Sequence, residues 1–352
     1  MLKIITIDNA KNWDRIVKTF NTFDVYYLSG YVKAFQVHGD GEPILFYYSD
    51  DSIKAINVAM KNDIATDSKF NNLIPLNKLF DIATPYGYGG FLVEGNINSN
   101  SLEKLRIEYE NLCKNEGIVS ELVKFHPVLN NVGYQNNLYE IKNLGKTITI
   151  DLNSRENIWN TLSSKNRNMI RKANKSNVEI KWGRDIELFK QFIPLYNSTM
   201  DKNNARNYYY FKSNFYDSIF YDLKYNSLIF YAVFEKKIIA MSIIVFAGQM
   251  MNYHLSAASI EFKHLAAVNL LLYEASCWGN ENGYKTFHLG GGVGSKKDSL
   301  FEFKSAFNKN SVTRFSLGRK IFDTLKYNEL LEIRKKDLNF KEDPSFLIGY
   351  RQ

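Results

Sequence analysis

The sequence predicts an α/β protein built as two domains of related construction, and three observations lead there. The chain has 352 residues, past the length at which a single core keeps growing. Its composition, 45% hydrophobic and 15% aromatic, supplies two cores and argues against global disorder. Alternating, strand-like runs followed by helix-periodic ones occur in both halves, which favours two α/β units over one large sheet.

The first domain is read over residues 1–150. LKIITI opens as a strand, and a helix follows from Asp8 to Phe20. A second amphipathic segment, Ser29 to Val37, runs into the Gly39–Gly41 turn. Strands are expected at Ile44–Tyr48, Ile53–Met60 and Ile118–Lys124, with a helix near Leu102–Glu116 before the last of them. The alternation in GKTITIDL, Gly145 to Leu152, marks another strand. The second domain, 151–316, starts with N-cap candidates Asn153 and Ser154 and one helix reaching about Lys175. Helices near Ile186–Asp201 and Lys212–Leu223 precede strands at Leu228–Phe234, Ile238–Phe246 and Met250–Ser256. A helix from about Ala266 to Glu281 and a buried strand, Tyr284–Leu289, complete it. Residues 317–352 read as a charged helical tail, packing back on the first domain.

Composition bounds the setting. No run approaches the ~20 apolar residues of a membrane span, and the N-terminus turns polar too early for a signal peptide. Cys113 and Cys277 cannot form a disulfide framework, and neither has metal-ligand spacing. A reduced, cytoplasmic protein without metal is expected. The net charge of +8 suits an anionic partner: nucleic acid, a phosphate-bearing substrate or an anionic membrane surface. A charge that serves solubility alone is the alternative reading.

The most informative stretch is Gly283–Phe307, GYKTFHLGGGVGSKKDSLFEFKSAF. A strand runs into the glycines that include Gly290 and Gly291, then a polar loop, then a helix carrying Lys304 among Phe301, Phe303 and Phe307. A lysine there is placed to meet negative charge on a cleft floor, where a dry setting multiplies its effect. A helix that buries its phenylalanines and turns Lys304 to solvent accounts for the same spacing. Between Asn157 and Val178 there is no acidic residue, while Arg167, Arg171 and Lys175 stand four apart on one helical face. That face suits nucleic-acid phosphates, or is simply solvated.

HLGGGVGS lacks the Gly-Lys-Ser/Thr ending of a phosphate loop and the following helix of a dinucleotide fold. TPYGYGG, Thr84 to Gly90, suits a loop whose backbone approaches a ligand lined by Tyr86 and Tyr88; a tight turn reads the same. The histidines at 38, 126, 254, 264 and 288 show no triad or metal spacing. His254, near the end of a strand in NYHLSAAS, is the best placed for a site.

These elements resemble the Fem family of peptidyltransferases, within the GNAT-like acyltransferases. The resemblance covers nearly the whole chain. It rests on KNRNMIRKA (Lys165 to Ala173), YHLSAAS, AAVNLLLYEASCWGNENGYKTFHLGGG and, most specifically, LFEFKSAF, which is similar to the family's Phe-Lys-x-x-Phe element. It implies two tandem GNAT-like domains with mixed central sheets flanked by helices. It also implies transfer of an amino acid from aminoacyl-tRNA to the amine of a nucleotide- or lipid-linked cell-wall precursor, without a bound cofactor and with peripheral membrane association. Lys304 would then stand at the reacting centre beside Phe303. Lys33, in GYVKAF, and Arg206, in NNARNYYYF, would bind the precursor's phosphates.

Departures from the pattern matter. No heptad run supplies the coiled-coil arm of some members. The TPYGYGG loop looks more like acyl-CoA-dependent N-acyltransferases that act on amino sugars of surface glycans. Yet the Gln/Arg-x-x-Gly-x-Gly/Ala pyrophosphate signature is replaced by AASIEFKHLAAVN. That argues against cradling CoA on a helix N-terminus and favours the aminoacyl donor.

Overall fold

Each half of the chain folds around a mixed β-sheet with helices packed against it. The computed structural model describes residues 1–352 and divides into two units, Met1–Leu144 with Phe315–Gln352, and Gly145–Arg314. The first unit contains β1 (Leu2–Thr6), α1 (Ala10–Val17), α2 (Ser29–His38), β2 (Glu42–Ser49), β3 (Ile53–Asp63), β4 (Phe80–Ala83) and β5 (Leu92–Gly95). It continues with α3 (Ser99–Asn115), β6 (Ile118–Lys124) and β7 (Glu140–Lys146). The second comprises β8 (Ile148–Asp151), α4 (Arg155–Thr161), α5 (Ser164–Lys175), β9 (Glu179–Gly183), α6 (Ile186–Lys202), α7 (Ser213–Asp222) and β10 (Ser227–Phe234). Then come β11 (Lys237–Ala247), β12 (Met250–Ala258), α8 (Ala267–Glu281), β13 (Thr286–Gly290) and α9 (Ser299–Ser305). The chain closes with β14 (Arg314–Ile321) and α10 (Thr324–Lys335).

In the first unit the strand order is β1-β2-β3-β4-β6-β14-β7, with β5 also on β3. The β2–β3 hairpin pairs Glu42 with Lys61 through Ser49 with Lys54. Its alternate residues, including Ile44, Phe46, Ala55 and Ala59, fill a core closed by Leu105 and Tyr109 of α3. A polar group lies inside that core. Buried Glu121 accepts from Tyr109 Oη at 2.8 Å and Asn57 Nδ2 at 2.9 Å. Burial pushes its carboxyl up to about 7, against those hydrogen bonds.

The expected tail and boundary need correction. Residues 317–352 are not simply helical: β14 forms a sheet strand with β6, Leu317 facing Lys124, and α10 follows. Beyond it Tyr350 is fully buried, and its hydroxyl donates to Asp81 at 3.0 Å. Arg351 grips Asp81 with bonds of 2.6 and 2.8 Å and Asp67 at 2.8 Å. A boundary at residue 150 would cut β8, which pairs with β13 of the second unit.

The second sheet runs β8-β13-β12-β11-β10-β9. Only β12 and β13 are parallel, paired from Met250–Thr286 to Asn252–His288. β12 then continues beside β11 alone, through a bulge where Ile244 faces Tyr253 and Ile243 faces Leu255. His254 is therefore the extra residue of that bulge, a device that re-aims side chains. Leu270, Leu271 and Ala275 of α8 pack into the core with Ile150, Phe230 and Phe287. The single helix expected from Ser154 to Lys175 is two. Leu162 and Ser163 are extended, and Ser163 caps α5 by accepting from Asn166 N. The periodicity continues across the break because both pieces bury apolar residues, Ile158 on α4 and Ile170 on α5. No helix is long and apolar enough to cross a membrane.

Candidate functional site

The glycine loop and α9 form a tightly closed turn around Asp298. β13 ends at Gly290, whose φ of 78° favours glycine. Asp298 accepts from Phe301 N at 2.8 Å, capping α9, and from Val293 N at 2.9 Å across the loop. At Gly292 an added Cβ would overlap the Lys296 carbonyl and the Asp298 carboxylate. These constraints fix where α9 begins and so which face it turns inward.

That face carries Phe301 and Lys304, three residues apart and each only 9% exposed. Phe307 is fully buried, and the half-buried Phe303 meets its ring edge-on at 5.4 Å between centroids. Lys304 Nζ donates to the Gly291 carbonyl at 2.8 Å. Burial lowers its pKa to about 8, partly opposed by Asp298. The ammonium is thus mostly protonated at neutral pH, and one of its three donors is engaged. A desolvated cation with unspent donors is suited to charge that develops on an oxygen. The solvent-facing reading of Lys304 is excluded.

On β12, burial holds the half-buried His254 imidazole near pKa 3, hence neutral. Such a ring is a poor general base at pH 7. His288 is buried, its Nδ1 2.9 Å from Thr149 Oγ1, which in turn accepts from Thr313 Oγ1 at 3.0 Å. Before α8, Ala266 adopts a left-handed conformation with φ 55°, a cost of roughly 1–2 kcal/mol for a residue with Cβ.

On the basic helix the three expected residues differ. Arg167 is half-buried, and its Nη1 donates to the Leu162 carbonyl at 2.9 Å, which ties α5 to the end of α4. Arg171 is exposed with its guanidinium 5.2 Å from the centroid of the Trp159 ring, and Lys175 is exposed. Arg206 is exposed at the start of the 3-10 turn Asn207–Tyr209.

The remaining expected residues lie in the first unit. Lys33 is half-buried on α2, and Phe35, two residues on, stacks with Tyr86 at 5.3 Å. The loop 84–90 is held rather than loose. Tyr31 Oη donates to the Tyr86 carbonyl at 2.6 Å, and Tyr27 Oη to that of Gly90 at 2.8 Å. Tyr88 packs edge-on against Tyr26 and Phe315. Beside it lies a fully buried pair, His126 Nε2 to Asp24 Oδ2 at 2.9 Å. His126 Nδ1 accepts from Leu129 N, so Nε2 carries the proton that Asp24 receives. Sequence reasoning missed this pair, whose members are 102 residues apart. It also missed Asp298, although an aspartate ahead of an apolar run is a cap signal.

Residues 163–305 match the acetyltransferase (GNAT) domain family model. The second unit carries a GNAT-type acyltransferase domain. No curated protein matches the sequence. Among solved structures, FemX is similar in fold at 15% identity and a TM-score of 0.66, over 94% of this chain and 99% of that one. The C-terminal domain of an Agrobacterium fabrum protein assigned as a lysylphosphatidylglycerol synthetase is similar at 13% identity, TM-score 0.55, over 89% and 91% of the two chains. The Bacillus licheniformis protein L-PGS gives 15% identity, TM-score 0.50, over 86% and 90%. The expected α/β architecture of two mixed sheets flanked by helices stands.

Proposed function

We propose that this N-acyltransferase moves an aminoacyl group from aminoacyl-tRNA to the amine of a nucleotide- or lipid-linked cell-wall precursor. The observation that carries the reading is Lys304, buried among phenylalanines with an ammonium that has donors to spare beside Gly291. The fold likeness to FemX over most of both chains and the Phe303-Lys304 element support the donor class.

In the reaction the neutral acceptor amine attacks the ester carbonyl carbon and forms the new C–N bond. The carbonyl π pair moves to oxygen, and Lys304 Nζ–H stabilises that oxyanion. Collapse breaks the ester C–O bond, and the tRNA hydroxyl leaves with the proton the amine gives up, passed through substrate groups. His254, kept neutral, serves as a hydrogen-bonding partner for substrate rather than as the base. Gly290 and Gly291 bring backbone close to the acyl group, and Phe303 walls the site. Within the first unit, Lys33 is the candidate for a precursor phosphate and Tyr86 and Tyr88 line the loop near its helix; within the second, Arg206 is a separate phosphate-binding candidate. Arg171 and Lys175 contact tRNA phosphates, while Arg167 holds α5 in place for them.

Acyl-CoA is the second donor to test, because the matched family model is an acetyltransferase domain. Radiolabelled aminoacyl-tRNAs and acetyl-CoA are offered in parallel to a pool of cell-wall precursors, with Lys304→Ala as control. Label moving from tRNA and lost in the variant supports the reading. Transfer from acetyl-CoA alone replaces it with the amino-sugar acyltransferase, and silence from both removes it.

A further inference from the structure

The two edges of the second sheet differ. At β8 the edge is covered by the segment after α9. Thr147 N donates to the Thr313 carbonyl at 3.0 Å, Thr149 N to Ser311 Oγ at 3.1 Å, and Asn308 Nδ2 to the Thr149 carbonyl at 2.7 Å. At the other end of the strand order stands β9, paired with β10 alone. Beyond that ladder no backbone–backbone hydrogen bond reaches its five residues. Alternate N–H and C=O groups along β9 therefore face outward, a template for another strand.

The side chains of β9 identify that strand. Ile180 and Trp182 lie opposite Ala232 and Phe230 of the core, and Val178, just before β9, is buried in the same core. This apolar face ends in an indole that is 50% exposed and stacked with Phe230, 5.9 Å between ring centroids. The opposite face carries Glu179 and Lys181, both exposed and paired within the strand at 3.2 Å. Such a solvated pair is given up at little cost. An antiparallel copy of β9 can meet this edge about a two-fold axis normal to the sheet, and the residue at the axis fixes which side chains stand opposite one another. With the axis at Lys181 two lysines are opposed; at Glu179, two glutamates. With the axis at Ile180, Glu179 of each copy faces Lys181 of the other, Ile180 faces itself, and Val178 faces Trp182. Only this register pairs acid with base, and it also covers the exposed indole.

We propose that β9 is a self-association edge: two copies of this chain pair there about an axis through Ile180, joining their six-stranded sheets into one. The added ladder satisfies the outward backbone groups, and each ion pair within a strand is exchanged for one between strands. Trp182 gains the kind of cover that makes tryptophan an interface anchor. A lysine on a short edge strand guards against random pairing; with Glu179 two residues away it selects one partner and one register. The contact is small, so the association is reversible and concentration-dependent. It stands independently of the proposed acyl transfer.

The test is sedimentation velocity on the full chain, which should show a monomer–dimer equilibrium over about a hundredfold range of concentration. Glu179→Lys and Lys181→Glu should each weaken the dimer about tenfold, because each sets like charges opposite at two positions. An equimolar mixture of these two variants should dimerise again, since every cross-strand pair is then opposite in charge. The chain carrying both changes should do the same, a rescue that a misfolded variant cannot give. Circular dichroism checks the fold of each. A parent that stays monomeric throughout overturns the proposal. So does a dimer indifferent to the charge changes, or a mixture of the two variants that remains monomeric. A monomeric parent that binds a single-stranded oligonucleotide, and loses it in Trp182→Ala, assigns the indole to base stacking and overturns it too.

Discussion

Replacing Lys304 by methionine should make the protein more stable and nearly inactive at once. The two side chains have similar length, so packing among Phe301, Phe303 and Phe307 is retained. The lysine's pKa falls from 10.5 to about 8 on folding, which corresponds to about 3 kcal/mol of unfavourable burial of its charge. Losing the bond to the Gly291 carbonyl returns about 1.5 kcal/mol of that. At pH 7 the variant should therefore gain roughly 1–2 kcal/mol, a rise in Tm of about 2–8 °C. Between pH 8 and 10.5 the unfolded chain binds the extra proton, so the parent gains stability as pH rises through this window. By pH 10.5 the variant's advantage should vanish. Urea melts of both proteins at pH 7 and 10.5, compared as differences, cancel the titration of other groups. Turnover should drop about 10²–10³-fold, the usual loss for one donor to a developing oxyanion, and the parent's kcat should fall above pH 8 as the ammonium deprotonates. A variant destabilised equally at both pH values would refute the claim that Lys304 is a desolvated cation.

Three further expectations concern other residues. Glu121→Gln should remove a pH dependence: with its carboxyl at about 7 when folded and 4.5 unfolded, the parent should lose up to about 3 kcal/mol between pH 4.5 and 7. Parallel urea melts across that range with identical slopes would remove Glu121 as their source. Asp81→Ala strands Tyr350 and Arg351 and should cost about 3–5 kcal/mol; thermal melting that moves by less than 2 °C would show the C-terminal clasp to be idle. Gly292→Ala should displace the loop from Asp298 and reduce turnover at least tenfold with the far-ultraviolet circular dichroism unchanged. Full activity in that variant would separate loop geometry from the reaction.

The sequence by itself determined the strand–helix alternation in both halves, because burial of one face imposes a period of two or 3.6 on any chain. The strand at Ile118–Lys124, the β10–β12 run and α8 were all legible in this way. So was the Gly290–Lys304 segment as a place of unusual chemistry, since glycines and a lysine among phenylalanines are local features. Only tertiary structure decided which way Lys304 faces: its inward turn depends on Asp298 holding Val293 and Phe301, and on the Gly291 carbonyl receiving the amine. Tertiary structure likewise cut the basic helix at Ser163 and turned Arg167 back onto a carbonyl. It also drew the supposed tail into the first sheet as β14 and paired Asp24 with His126. Periodicity is a property of neighbours along the chain, whereas the burial and partners that set a side chain's charge come from residues far from it in sequence.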